Sequence, residues 1–204
     1  QSFLSGRMPD QWRSALVAPV FKKGRRDAAS NYRPISLTCV ACKLFERILC
    51  KAMYEHLSYE KLLSNSQHGF RCKRSTTSAL LHSCYVHMSH LDNRSDVDCI
   101  MFDFSKAFDT VNHQLLLVKI KAYGFGKYTC SWIADFLSNR SQCVRIGNAV
   151  ARPVIVPSGV IQGSVLGPLL FIIYINDLPD VIVSSASYLY ADDFKLVHGI
   201  KCNV

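Results

Sequence analysis

The chain has 204 residues, of which 49% are hydrophobic and 19% charged. That balance excludes a disordered chain and allows one large domain or two small lobes with a real core. Its net charge of +9 lies wholly in the first half: residues 1–95 hold 15 Lys and Arg against 6 Asp and Glu, while residues 96–204 hold 9 against 9. A basic half of this kind suits a phosphate-bearing partner, although a solvated basic surface has the same composition. The longest apolar run, 165–175, is interrupted by Gly167 and Pro168 and is too short to span a bilayer. No signal peptide or transit segment is evident, and the opening on Gln1 suggests an internal piece of a longer polypeptide. Nine cysteines, an odd number spread through apolar segments, read as core thiols in a reducing compartment. Cys39 and Cys42 have a zinc-like spacing, but no second pair accompanies them.

In chain order, Ala15 to Phe21 reads as a strand, and Lys22-Lys23-Gly24-Arg25-Arg26 as a basic turn. Leu44, Ile48, Leu49 and Met53 give Val40 to Leu57 a helical period. Ser75-Thr76-Thr77 is a cap for a second helix running to about Leu91. Val97 to Phe104 reads as a buried strand that delivers Asp103 at its end. Two helices are predicted over Leu115 to Tyr123 and Thr129 to Leu137, separated by Gly124-Phe125-Gly126. Gln142 to Ile146 and Pro153 to Val156 read as a strand pair, and Ser164 to Tyr174 as a helix with Pro168 near its first turn. Ser187 to Val197 reads as a hairpin with Tyr190-Ala191-Asp192-Asp193 at its tip. Mixed helices and hairpins without regular βαβ alternation make the class α+β.

Three constellations carry chemistry. Asp103 ends an apolar strand, where a carboxylate is either a ligand or a cap for the following turn. Asp109, six residues on, reads as structural. Pro157 to Pro168 contains three glycines and a helix start, a loop where backbone approaches a ligand, and Gln162 there both donates and accepts. Asp192 and Asp193 are adjacent acids that repel unless a cation neutralises them, which makes the hairpin tip a hard-oxygen ligand set for Mg²⁺. His68, His82, His87, His90 and His113 have no convincing metal spacing, and Asp177 reads as a cap or turn residue.

This ordered set resembles the reverse transcriptases of non-LTR retrotransposons over nearly the whole chain. Arg7 to Arg13 and Ala18 to Gly24 look like the opening segment of that family. Asn31 to Leu37 and Gln67 to Thr77 are similar to its two fingers motifs. Phe102 to His113, Gly159 to Phe171 and Tyr190 to Asp193 are similar to its three palm motifs. The resemblance implies a right-hand polymerase with fingers over 1–95 and an antiparallel palm sheet backed by helices over 96–204. It also implies that the thumb is absent, so these residues alone are expected to show little or no polymerase activity.

By the same resemblance, Asp103, Asp192 and Asp193, with the carbonyl of Phe104, would hold two Mg²⁺ ions, with Mn²⁺ as a substitute. One ion would activate a primer 3′-hydroxyl and the other would stabilise the departing pyrophosphate. Phe108 falls where a ring crowds the sugar 2′ position; read without the motif, it is equally an ordinary core Phe. Gln162 and Gly163 would contact the incoming nucleotide, Arg33 its triphosphate, and either Lys22 or Lys23 the same phosphates. Arg71, Lys73 and Arg74 read either as template contacts or as a solvated turn. The implied partners are an RNA template, a DNA primer or target and deoxynucleoside triphosphates, with no membrane; oligomeric state is not read from the sequence. The parent element would act inside the cell, in nucleus and cytoplasm. A second reading of the same residues is an inactive retroelement relic that only binds nucleic acid.

Overall fold

Ala15 and Val17 alternate with less buried neighbours, and this period of two starts the first sheet. The computed structural model describes residues 1–201, so Cys202 lies outside the described residues. Its helices are α1 (Ser2–Ser5), α2 (Val40–Tyr59), α3 (Thr76–Asp92), α4 (His113–Ala122), α5 (Lys127–Leu137) and α6 (Gly167–Ile175). Its strands are β1 (Ser14–Phe21), β2 (Tyr32–Leu37), β3 (Ser95–Asp103), β4 (Ser141–Ile146), β5 (Ala149–Val150), β6 (Val154–Ile155), β7 (Ala186–Tyr190) and β8 (Asp193–Lys201). The α+β class holds.

The first sheet has the order β2-β1-β4-β5, with β6 also on β4. β1 and β2 form an antiparallel hairpin that closes at Phe21 and Tyr32, whereas β1 and β4 run parallel. The expected pairing of the 142–146 and 153–156 segments is the β4–β6 contact. No element is predicted from sequence over the residues of β2, and Pro34 within it removes a ladder donor. The structure accommodates Pro34 by leaving β2 at the sheet edge. This sheet takes β1 and β2 from the first half of the chain and β4 to β6 from the second.

α2, α4, α5 and α6 enclose the core, with Trp132, Phe136, Leu169 and Phe171 at its centre. α6 is apolar on every side and is accordingly buried from Leu169 to Ile173. It begins at Gly167, three residues later than expected. Pro168 fits a first helical turn, and the Ser164 hydroxyl accepts the Gly167 N–H at 2.9 Å ahead of it. The buried face of α2 also differs from expectation. Cys42, Glu46, Leu49, Cys50, Met53 and Leu57 point inward, whereas Leu44 and Ile48 are exposed.

The second sheet, β3-β8-β7, is antiparallel throughout and lies against α3. β3 is not the buried strand expected from its apolar run. It stands at the sheet edge, and Ile100 to Asp103 are exposed, while Tyr188, Leu189, Phe194 and Val197 of β7 and β8 are buried instead.

Candidate active site

Asp103 and Asp193 are direct partners in the β3–β8 ladder. Opposed residues of an antiparallel pair lie about 5 Å apart at Cα and share a face. One step along, Phe102 and Phe194 stack with ring centroids 5.5 Å apart and so pack the other face. Tyr190 pairs with Asp193, leaving Ala191 and Asp192 as a two-residue turn. Asp103 and the adjacent Asp192 and Asp193, far apart in sequence, therefore gather at one corner of the sheet, with Phe104 directly after Asp103. Like charges opposed across a ladder repel. Among the described residues, no Lys or Arg forms an ion pair with any of the three; the ion pairs lie elsewhere. Such a donor set of carboxylate oxygens fits a hard divalent cation. Among the described residues, no three metal-ligating side chains already surround one point, so the acids flank an opening and do not form a finished cage. Beside them a cleft of about 560 Å³ runs between α3 and the sheet, lined by Asp103, Tyr190, Asp193, Met101 and Leu80.

The acidic turn rests on the segment before α3. Leu189 N–H donates to the Ser66 carbonyl (2.9 Å), and His68 N–H donates to the Leu189 carbonyl (2.7 Å). Gln67 Oε1 accepts from the N–H groups of Gly69 (2.7 Å) and Ala191 (3.0 Å). Gly69 is required here, because a Cβ at that position would run into the Ala191 amide nitrogen.

The glycine loop is fastened to the turn that follows Asp103. Val160 N–H donates to the Phe108 carbonyl, Gly159 N–H to the Val111 carbonyl, and the Ser158 hydroxyl to the Asp109 carbonyl. Gln162 Nε2 donates to Asp109 Oδ1 at 2.8 Å. The Gln162 carbonyl accepts from Ser36 N–H at 2.7 Å, docking β2 onto the loop. Gly163 has φ of 101°, and a Cβ there would lie 2.7 Å from the Ser36 carbonyl. Phe108 stacks on Phe171 at 4.3 Å and meets the edge of Phe70 at 6.2 Å. A small cavity of about 190 Å³ opens among Phe70, Phe108, Ile161, Gln162, Gly163 and Pro168. Behind the loop, the fully buried Glu46 carboxylate accepts from the N–H groups of Val165 (2.7 Å) and Leu166 (3.0 Å). It thus satisfies donors at the N-terminal end of α6, where negative charge is favoured.

The basic candidates predicted from sequence divide into two groups. Lys22 and Lys23 are exposed where β1 ends, and Arg33 is exposed opposite Val20 on β2. Arg71 donates to the Ser64 carbonyl and Arg74 to the Asn65 carbonyl, each at 2.6 Å, so both guanidinium groups are partly engaged by their own loop. Lys73 between them is exposed. Burial, then the neighbouring Arg74, holds His68 below the ordinary histidine range.

The sequence profile described as reverse transcriptase (RNA-dependent DNA polymerase) matches residues 20–203. The chain belongs to the reverse transcriptase family. Members are nucleotidyltransferases and generally use divalent metal ions. This reverse transcriptase domain is 31% identical to a probable RNA-directed DNA polymerase from transposon BS of Drosophila melanogaster, over 95% of the chain and 22% of that relative. It is 28% identical to the RNA-directed DNA polymerase from the mobile element jockey of the same species, over 96% of the chain and 22% of the relative. A third relative is the Pol polyprotein of the type-1 retrotransposable element R2 of Popillia japonica, 28% identical over 86% of the chain and 24% of the relative. These are non-LTR retrotransposon proteins, and the domain spans about a quarter or less of their length. Among solved structures, apo telomerase from Candida tropicalis aligns with a TM-score of 0.69 and 11% identity, over 94% of the domain and 40% of that chain. The same telomerase in complex with a fragment of telomeric RNA aligns with a TM-score of 0.66 and 12% identity, over 96% and 37%. The shared fold is that of a right-hand polymerase. No helix among the described residues is long and apolar enough to cross a membrane.

Two residues near the site escaped the sequence reading as individuals. Glu46 had a signal, since it shares the inward stripe of α2 with Cys42, Leu49 and Met53. Gln67 lay inside a recognised motif, but its partner Ala191 is 124 residues away, and no local pattern reports that distance.

Proposed function

We propose that this domain catalyses RNA-directed DNA synthesis for a non-LTR retrotransposon. A primer 3′-hydroxyl attacks the α-phosphorus of a deoxynucleoside triphosphate, the new phosphodiester bond forms, and pyrophosphate leaves. The observation that carries this reading is the opposition of Asp103 and Asp193 with Asp192 in the adjoining turn. Those acids, with the Phe104 carbonyl, would hold two Mg²⁺ ions, for which Mn²⁺ can substitute. When bound, such ions neutralise charge that builds on the attacking and leaving oxygens.

The chain's own side chains then orient the reactants, and positioning carries most of the rate in this chemistry. Arg33 and one of Lys22 and Lys23 face the triphosphate, and strand alternation continued past Phe21 favours Lys22, which falls on the Arg33 face of the hairpin. Phe108, backed by Phe171, excludes a ribose 2′-hydroxyl and so selects deoxynucleotides. Gln162 and Gly163 line the small cavity in front of that ring and contact the nucleotide. Arg71, Lys73 and Arg74 lie toward the template RNA, and the primer is DNA. Fingers occupy 1–95 and palm 96–204, with β4 to β6 lending strands to the fingers sheet. The parent protein works in nucleus and cytoplasm.

The test is Asp192→Asn in the longest natural polypeptide that carries these residues. Primer extension on an RNA template falls below detection, while RNA binding stays within about twofold, because the shape of the turn is kept. Extension at the unsubstituted rate refutes the catalytic assignment. RNA binding by the unsubstituted protein with no extension under any divalent ion identifies the binding-only relic.

A further inference from the structure

Ala191 has φ of 56°, a left-handed conformation that L residues rarely adopt, at the first central position of its turn. Hairpin turns of this length favour glycine at such a position. Something outside the hairpin must therefore hold the alanine there. The side chain in contact with it is Gln67, which is 2% exposed. Its Oε1 accepts the Ala191 N–H at 3.0 Å, and its Nε2 points to the Ala191 carbonyl at 3.4 Å. One amide thus brackets both polar groups of the strained residue. The same Oε1 accepts Gly69 N–H at 2.7 Å, and Gly69 lacks the Cβ that would push the turn away. The peptide bracketed in this way leads directly into Asp192.

We infer that Gln67 is a positioning residue for the cation site. Its amide fixes the Ala191 peptide, and that peptide fixes the direction in which the Asp192 carboxylate leaves the turn relative to Asp103 and Asp193. The inference rests on reading the three acids as the divalent-cation site. It adds that a buried neutral amide, remote in sequence and touching no reactant, sets how well those acids bind a cation.

The experiment compares Gln67→Met with the unsubstituted protein, in the longest natural polypeptide that carries these residues, by amide hydrogen exchange and Mn²⁺ titration. Mn²⁺ bound at the acids is the fraction that disappears in Asp192→Asn. In Gln67→Met the amides of Ala191 and Gly69 exchange at least about tenfold faster while β8 amides keep their rates. Mn²⁺ affinity at the acids falls about 10- to 100-fold, the range seen when an outer support of a metal ligand is removed. Adding Ala191→Gly to Gln67→Met restores part of that affinity, since glycine reaches positive φ unaided. Unchanged exchange and unchanged affinity in Gln67→Met overturn the inference. So does a loss that spreads over all of β7 and β8 and is not relieved by Ala191→Gly, which marks Gln67 as scaffold only. If Gln67→Met does not fold, the unsubstituted protein decides: Ala191 and Gly69 amides exchange as slowly as that of Leu189, and rapid exchange overturns the inference. Mn²⁺ binding that Asp192→Asn leaves intact sinks the cation-site reading itself, separately from the amide rates that report the hold of Gln67 on the turn.

Discussion

Glu46 joins the deepest part of the core to the glycine loop. Its carboxylate satisfies two loop donors and accepts from the Cys42 thiol at 3.4 Å. Burial and the Glu46 charge push that thiol up to about 12, so Cys42 is a neutral donor under ordinary conditions. The second thiol of the zinc-like Cys39 and Cys42 spacing thus faces a buried carboxylate. Removing Glu46 strands two N–H groups in the interior, each at a cost of about 1–3 kcal/mol. Glu46→Ala therefore lowers unfolding stability by about 3 kcal/mol, read from the urea midpoint, whereas Glu46→Gln, which keeps an acceptor, loses distinctly less. Equal losses in the two variants would show that the charge, and not the hydrogen bonds, is what matters. The helical period of α2 was legible in the sequence, but its phase was not. Leu44 and Ile48 mimic an apolar stripe, and only tertiary packing reveals that the stripe containing Glu46 faces inward.

Local signals worked best at element ends. Ser75 caps α3 as its sequence suggests, accepting from Ser78 N–H at 3.1 Å, while Ser75 N–H donates to the Ser78 hydroxyl at 2.9 Å. That hydroxyl also contacts His68 Nδ1 at 3.0 Å, so the cap and the support of the acidic turn share one atom. Ser75→Ala costs about 1 kcal/mol in thermal or urea unfolding. A neutral result would mean that Ser78 carries the cap alone. The helices around Gly124 and Gly126 and the acidic hairpin were legible for the same local reason. What escaped was non-local: β2, whose Pro34 is tolerated only at an edge, the late start of α6, and the exposure of β3. Each depends on what lies beside an element, and a single segment carries no record of its neighbours. The three acids were visible as residues, and their convergence follows from a strand register that the sequence does not state.

Across the whole molecule, the excess positive charge and the three acids lie in different halves of the chain. β1 and β2 bring Lys22, Lys23 and Arg33 together on one hairpin, and Ser36 of the same hairpin is docked on the Gln162 carbonyl. If that hairpin meets phosphates, nucleic-acid affinity falls steeply with salt, by about 0.9 log units per log unit of salt for each phosphate neutralised on duplex DNA. Replacing Lys22, Lys23 and Arg33 together with Ala reduces the slope by about one for each phosphate left without its cation, as measured by fluorescence anisotropy across a salt series. An unaltered slope would remove the hairpin from the interface.

β3 carries a consequence for handling the protein. A nine-residue strand at the rim of its sheet, with Ile100 and Phe102 uncovered, invites another copy to add itself edge to edge. Aggregation at high concentration should begin there. Ile100→Lys, a charge of the sort that natural sheet rims carry, suppresses the growth in light scattering.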